Sequence, residues 1–292
     1  MLLHLIQTMT TSSKNLDTLV DDIYNVLVTQ QEIDDSLVNE LSKEIAEVIK
    51  SRLSSSSHHR PYLSLSSIGK PKRRLWYDIN DPIDDSTSKP HNILKFLYGD
   101  IIESVVLWLA KVAGHTVTDR QTEVKLLGIV GHTDSKIDGE VVDAKSASPR
   151  SYMKFEKSTL PDDDPFGYLA QVAAYDKKIG GGHPGFLAMN KVTGEICLYR
   201  PDPMFDLPDP EAVVSEAKET VALKEPPAEK CYQEEPDGKS GNMRLPKGCC
   251  FCPYKFRCWD NLRMFKYSDG IRYLTKVVNE PRVEEIINDK DN

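Results

Sequence analysis

Apolar residues recur at helical spacing from Leu16 to Leu53: Leu16, Leu19, Val20, Ile23, Val26 and Leu27, then Leu37, Leu41, Ile45, Val48 and Ile49. The second run carries Lys and Glu on its other side, so the spacing predicts amphipathic helices. The stretch 54–59 (SSSSHH) reads as a flexible joint. Residues 1–60 are thus expected to form a helical extension and linker. A core starts near Pro61, with a helix over 91–113 closed by Gly114. Strands are predicted over 122–130, 131–137 and 140–146. An aspartate-rich loop, 161–165, precedes a helix over 166–179 that ends at Gly180-Gly181-Gly182. Strands over 185–190 and 195–199 and a helix over 209–223 complete the core, 61–225. Helix, three strands, helix and two strands predict an α/β fold in which helices cover a mixed central sheet. Residues 226–292 form a separate cysteine-bearing segment and tail.

At 292 residues, with 39% hydrophobic and 28% charged residues, the chain suits a soluble globular protein. No apolar run approaches the roughly 18–20 residues that span a bilayer. Residues 1–9 are apolar but lack a basic start and a small-residue cleavage site, so they read as an upstream extension, not a signal peptide. These features predict a cytoplasmic protein with no membrane partner. The net charge of −8 argues against indiscriminate nucleic-acid binding. Local charge differs: Lys70, Lys72, Arg73 and Arg74 cluster beside Trp76 and Tyr77. Such a segment can grip phosphate and stack a base, or be a solvated basic loop with two aromatics in the core.

The densest chemistry lies at Thr133-Asp134-Ser135-Lys136-Ile137-Asp138-Gly139-Glu140-Val141-Val142-Asp143-Ala144-Lys145. Asp-Gly between β-prone runs favours a two-residue type I′ hairpin loop. Counting outward from Asp138-Gly139 pairs Ile137 with Glu140, Lys136 with Val141, and Asp134 with Asp143. Opposed residues have Cβ atoms roughly 4.5–5.5 Å apart, where like charges repel. Lys145 emerges on the face of Asp143. The acids could be solvated on a surface hairpin. The flanking Ile129, Val130, Ile137, Val141 and Val142 instead put the hairpin in a sheet interior, where charges must be paired or bound to metal. Two carboxylates offer only oxygen ligands, which suits Mg²⁺ or Mn²⁺.

Thr133-Asp134 followed by Asp143-Ala144-Lys145 resembles the PD-(D/E)XK nuclease motif, with Thr in place of Pro. Gln171-Val172-Ala173-Ala174-Tyr175 is similar to the Q-x-x-x-Y element of the RecB-like exonuclease branch. Gly99-Asp100-Ile101-Ile102-Glu103 resembles the helix bearing that branch's first ligand, and residues 65–77 resemble its N-terminal element without the usual cysteine. The resemblance implies a restriction-endonuclease-like core. In it Glu103, Asp134 and Asp143 hold Mg²⁺ or Mn²⁺ with the Ala144 carbonyl, and Lys145 orients the attacking water. It further implies that Gln171 and Tyr175, with Lys70, Arg73 and Arg74, contact DNA. Taken singly, Glu103 could be an exposed helix glutamate, Tyr175 a core residue and Gln171 a solvated one. A glycine at position 99, on the face of Glu103, is expected to let the helix approach the sheet closely.

Cys231, Cys249, Cys250, Cys252 and Cys258 crowd the C-terminal segment, while Cys197 stands apart. Such crowding in an intracellular protein points to metal more than to disulfides. Cys249, Cys252 and Cys258 resemble the family's C-terminal cluster ligands. With Cys231 as fourth thiolate and Cys250 as a spare, they suit a [4Fe–4S] cluster or zinc; otherwise this is a relic site packed by Pro253, Tyr254, Phe256 and Trp259. His132 is expected near Asp134, and His115 and His183 in loops. Family members of this kind serve as phage recombination or DNA-recycling exonucleases and in CRISPR adaptation. The expected activity is therefore metal-dependent DNA exonuclease, with the N-terminal helices as a protein-binding part. A DNA-end-binding or recruitment protein and a site-specific endonuclease are the alternatives.

Overall fold

Val142, Ala144 and Leu187 face one way and Val141, Phe186 and Ala188 the other, so the strands that carry them are apolar on both sides and must be covered on both. The computed structural model describes residues 14–29, 31–54, 62–83 and 90–287. The expected joint at 54–59, beyond Ser54, the core start at Pro61 and the apolar residues 1–9 lie outside the described residues. The central sheet has the order β1 (Val117–Thr118), β4 (Ser135–Ile137), β5 (Glu140–Ala147), β6 (Gly185–Asn190), β7 (Ile196–Tyr199). β5 and β6 are parallel and the other neighbours antiparallel. This is the mixed α/β sheet that the pattern predicts.

One face is covered by α1 (Leu19–Thr29) and α4 (Pro90–Val112), whose Leu19, Ile23, Val106, Leu107 and Ala110 pack on Ile137, Val142 and Leu187. The first helix of the expected extension is thus a layer of the core. Its apolar face finds its partner on the sheet. By contrast α2 (Asp35–Ser54) buries no residue fully and rests on α4, where the Trp108 indole donates to the Leu37 carbonyl at 2.8 Å. The other face is covered by α5 (Pro149–Glu156), α6 (Tyr168–Ile179) and α7 (Pro210–Ala222). No helix among the described residues is long and apolar enough to cross a membrane.

Three departures from the sequence pattern have physical reasons. The strand expected over 122–130 is a hairpin, β2 (Glu123–Leu126) and β3 (Ile129–His132), because Leu127 and Gly128 both take positive φ. The segment of Lys70, Arg73 and Arg74 is mostly helix, α3 (Lys72–Asn80), with Leu75, Trp76 and Tyr77 buried. α5 is an additional helix, started by Ser148 as N-cap and Pro149 at the first turn. His115 lies in a loop, as the neighbouring glycine suggests, but this loop is not solvated. It is buried, its Nδ1 2.6 Å from Asp138 Oδ2 and its Nε2 3.2 Å from Asp22 Oδ2, so it ties α1 to the hairpin turn.

The C-terminal segment folds into a second sheet, in the order β12 (Glu285–Ile286), β10 (Arg263–Tyr267), β11 (Gly270–Lys276), β9 (Met243–Arg244), β8 (Glu235–Pro236). Between β9 and β10 come two short helices, α8 (Lys247–Cys250) and α9 (Lys255–Cys258). α3 joins this unit to the core. Tyr77 stacks on Tyr254 with ring centroids 5.1 Å apart, and the Trp76 indole donates to the Leu223 carbonyl at 2.9 Å.

The loop before α3 meets the start of α6 backbone to backbone. A Cβ on Gly69 would stand 2.6 Å from Gly167 Cα, and Gly167 itself has φ of +76°. Gly69→Ala is therefore expected to cost at least about 1–3 kcal/mol, read as a lower urea midpoint at unchanged slope.

Candidate active site

The Asp138-Gly139 turn has the expected geometry, both residues at positive φ, and the ladder runs Ile137↔Glu140, Lys136↔Val141, Ser135↔Val142. One step further along this register Asp134 lies across from Asp143. β3 and β4 are separate strands because the chain breaks at Thr133 and Asp134. That break frees the Asp134 carboxylate to accept the Ala144 N–H at 3.0 Å. Thr133 is fully buried and anchors the break: its hydroxyl donates to the Asp119 carbonyl at 3.1 Å and its N–H to the Thr122 carbonyl at 3.0 Å.

Asp143 is 1% exposed. Its Oδ2 is in ion contact with the Lys145 ammonium and has no hydrogen bond of good geometry, while Oδ1 accepts Gln171 Nε2 at 3.3 Å. The same amide nitrogen lies 3.4 Å from the Tyr175 hydroxyl. Gln171 is therefore buried rather than solvated, and it steadies a carboxylate. Tyr175 lies in the core and supports the site from beneath. Tyr168, not anticipated from the sequence, places its ring 4.7 Å from Lys145 Nζ. It precedes Gln171 by three positions, the helical spacing that would have pointed to it.

Glu103 comes from α4 and is neither an exposed helix glutamate nor fully buried. The expected close approach at Gly99 is absent: a Cβ there would lie 3.7 Å from Ser146 Oγ, an ordinary contact, so alanine would fit. Burial, then the charge of Asp143, pushes the Glu103 carboxyl up to about 7. Burial, then Asp143 and Glu103, raises Asp134 well above the usual carboxylate range. Burial works against the Lys145 charge, but Asp143 and Asp134 outweigh it and raise its pKa, so Lys145 is held as the ammonium.

Two carboxylates raised by burial and by their acidic neighbours, an all-oxygen donor set and the incompletely satisfied Asp143 Oδ2 are in keeping with a hard divalent cation. Among the described residues, however, no group of three or more His, Cys, Asp or Glu side chains is placed to hold a metal ion.

Most of the basic cluster is turned inward, while Lys72 pairs with Glu216 on the open surface at 2.5 Å. Lys70 pairs with Asp78 at 2.8 Å. Arg73 donates to the Pro227 carbonyl and lies over the Tyr77 ring, and Arg74 lines a cavity with the cysteines. The cations acting on Glu103 are Lys145 and Arg120. Arg120 had no motif to reveal it. It lines a cleft of ≈850 Å³ between α2 and α4 onto which Glu103 opens. His132 is exposed on β3.

Cys231, Cys249, Cys252 and Cys258 line one small cavity. Burial, then Cys252 and Cys231, pushes the Cys249 thiol up to about 12. Burial also raises Cys231 and Cys252, against donors to sulfur from the Arg74 and Tyr254 backbones. Cys250 turns away, toward the Leu245 and Pro246 carbonyls.

No protein-family model and no curated protein matches the chain. Among solved structures it is similar to one titled "Crystal structure of SSO0001". That likeness has 16% identity and a TM-score of 0.39, and it spans 78% of this chain and 97% of that one. At that TM-score it carries no argument.

The carboxylate cluster predicts a pH dependence. The folded chain keeps the Glu103 proton up to about 7, whereas the unfolded chain releases it near 4.5. The resulting stabilisation is complete below pH 4.5 and is lost as pH rises through 7, on the order of 1–3 kcal/mol. Thermal melts should show a lower Tm at pH 8 than at pH 5, and Glu103→Gln should flatten the difference. Mn²⁺ at pH 8 should raise the Tm of the natural chain more than that of Glu103→Gln.

Proposed function

We propose that the chain is a divalent-metal-dependent deoxyribonuclease that hydrolyses phosphodiester bonds from DNA ends, on a restriction-endonuclease-like core. The observation that carries this reading is the meeting of Glu103, Asp134, Asp143 and Lys145 at one place, with Gln171 and Tyr175 behind them. Glu103, Asp134, Asp143 and the Ala144 carbonyl would hold Mg²⁺ or Mn²⁺. Such an ion lowers the pKa of bound water and offsets charge on phosphoryl oxygens. Lys145, fixed by Asp143 and the Tyr168 ring, presents a permanent positive charge to the phosphate and orients the water that attacks it. Gln171 keeps the Asp143 carboxylate from rotating away by holding Oδ1. The cysteine segment, docked through α3, would hold a [4Fe–4S] cluster or zinc and brace the core.

Digestion of 5′- and 3′-labelled linear and circular DNA with Mg²⁺, Mn²⁺ and EDTA tests the reading. Linear DNA should be degraded from its ends only with metal, and circles should survive. Asp134→Asn and Lys145→Ala should each lose at least about a hundredfold in rate at unchanged circular dichroism. Equal cutting of circles would make it an endonuclease. Binding of ends without cleavage would make it a recruitment protein.

A second measurement addresses the thiols. Protein purified without oxygen should carry iron with visible absorbance, or about one zinc per chain, and Cys231→Ser should lose the metal. A colourless, metal-free protein removes both assignments.

A further inference from the structure

Arg120 stands in an unusual setting. Its neighbours Asp119 and Gln121 both have positive φ, at 51° and 50°, a conformation that side chains disfavour. The loop is stitched to the break that carries Asp134: besides the two Thr133 bonds, the Gln121 N–H donates to the Asp134 carbonyl at 3.4 Å. A strained turn thus fixes one guanidinium relative to the carboxylate cluster. Its Nε is buried with no partner, and its two terminal nitrogens reach Glu44 of α2, at 3.3 Å for Nη1 and in closer contact for Nη2. Both side chains are about a quarter exposed, at the wall of the α2–α4 cleft.

The helix that supplies Glu44 is the most weakly seated of the long ones. It buries no residue fully, and polar ties hold it: Arg52 to Asp100, Lys111 to Glu40, Arg120 to Glu44 and Trp108 to the Leu37 carbonyl. It also lines the cleft with Glu40, Glu44 and Glu47, a row of acids that would repel a nucleic-acid backbone. A carboxylate on a guanidinium fork has the charge and planar two-point geometry by which the same fork takes a phosphate.

We propose that Arg120 is the phosphodiester-binding cation of this cleft and that Glu44 occupies it as an internal stand-in, so that a strand must break the Arg120–Glu44 pair to bind beside the carboxylates. The identity of the displacing anion rests on the nuclease reading above. At rest the Arg120 guanidinium of the cleft wall is thus occupied and the acids of α2 dominate the charge of that wall. A strand enters by exchanging one ion pair for another, and the strained turn keeps Arg120 in place during the exchange.

The test is binding of a fluorescent single-stranded oligonucleotide to the full chain in EDTA, read by anisotropy, so that cleavage plays no part. Glu44→Gln should tighten binding about 5- to 10-fold and Arg120→Gln should weaken it about tenfold. In the double variant the gain from Glu44→Gln should vanish. An uncharged methylphosphonate oligonucleotide should show no gain. If Arg120→Gln melts early, Arg120→Lys, which keeps the charge but loses the fork, should shrink the Glu44→Gln gain. The inference is overturned if the Glu44→Gln gain is absent, or persists undiminished without the Arg120 fork. Arg120-dependent binding by a chain that never cleaves DNA would sink the nuclease reading alone. Cleavage with binding indifferent to Arg120 would sink this inference alone.

Discussion

Glu103, Asp134 and Asp143 repel one another in a setting poor in water, and the surrounding architecture holds them together against that repulsion. The carboxylates arrive on three different supports: a helix on one face of the sheet, a break between two strands, and a central strand. Each support is fixed by something other than the acids themselves. α4 is fixed by its apolar packing on the sheet, Thr133 by two hydrogen bonds to the neighbouring loop, and β5 by strands on both sides. Lys145 compensates part of the charge, but one ammonium cannot neutralise three carboxylates, and the raised pKa values of Glu103 and Asp134 register the remainder. A site held this way is strained toward cations.

The α/β layout and the facing aspartates were legible because they rest on short-range rules. An Asp-Gly turn sets its own register, and a strand places alternate residues on one face whatever surrounds it. The four-residue spacing of Gln171 and Tyr175 likewise fixed their common side. What those residues touch was not legible, since Gln171 could not be seen to hold Asp143 until the packing of α6 on β5 was known. The partners of Lys70 and Arg73 were hidden for a related reason: composition reports charge, not the carboxylates and carbonyls that meet it. The second sheet escaped because β8, β9 and β12 are two residues long, too short for any periodicity. β10 and β11 did carry an Asp-Gly signal, Asp269-Gly270, although there the two-residue loop is Ser268-Asp269.

α3 links the two halves of the molecule. Its aromatic side feeds Trp76 and Tyr77 into a cluster with Tyr254, while Arg73 and Arg74 turn toward the cysteines and the chain around Pro227. Loss of order among the cysteines would therefore reach the α/β core through this helix and through the Gly69–Gly167 contact just before it.

The clamp at His115 bears on how the chain comes to be folded at all. α1 is short, and an isolated helix of its length is marginal in water. Its anchor Asp22 meets His115 93 residues later in the chain, and the sheet that covers Leu19 and Ile23 comes later still. At about 5–20 residues per second of synthesis, the nascent N-terminal segment waits on the order of 5–20 s for its partners. During that interval its apolar stripe is exposed at the ribosome. The helix is made well before the strands that seat it.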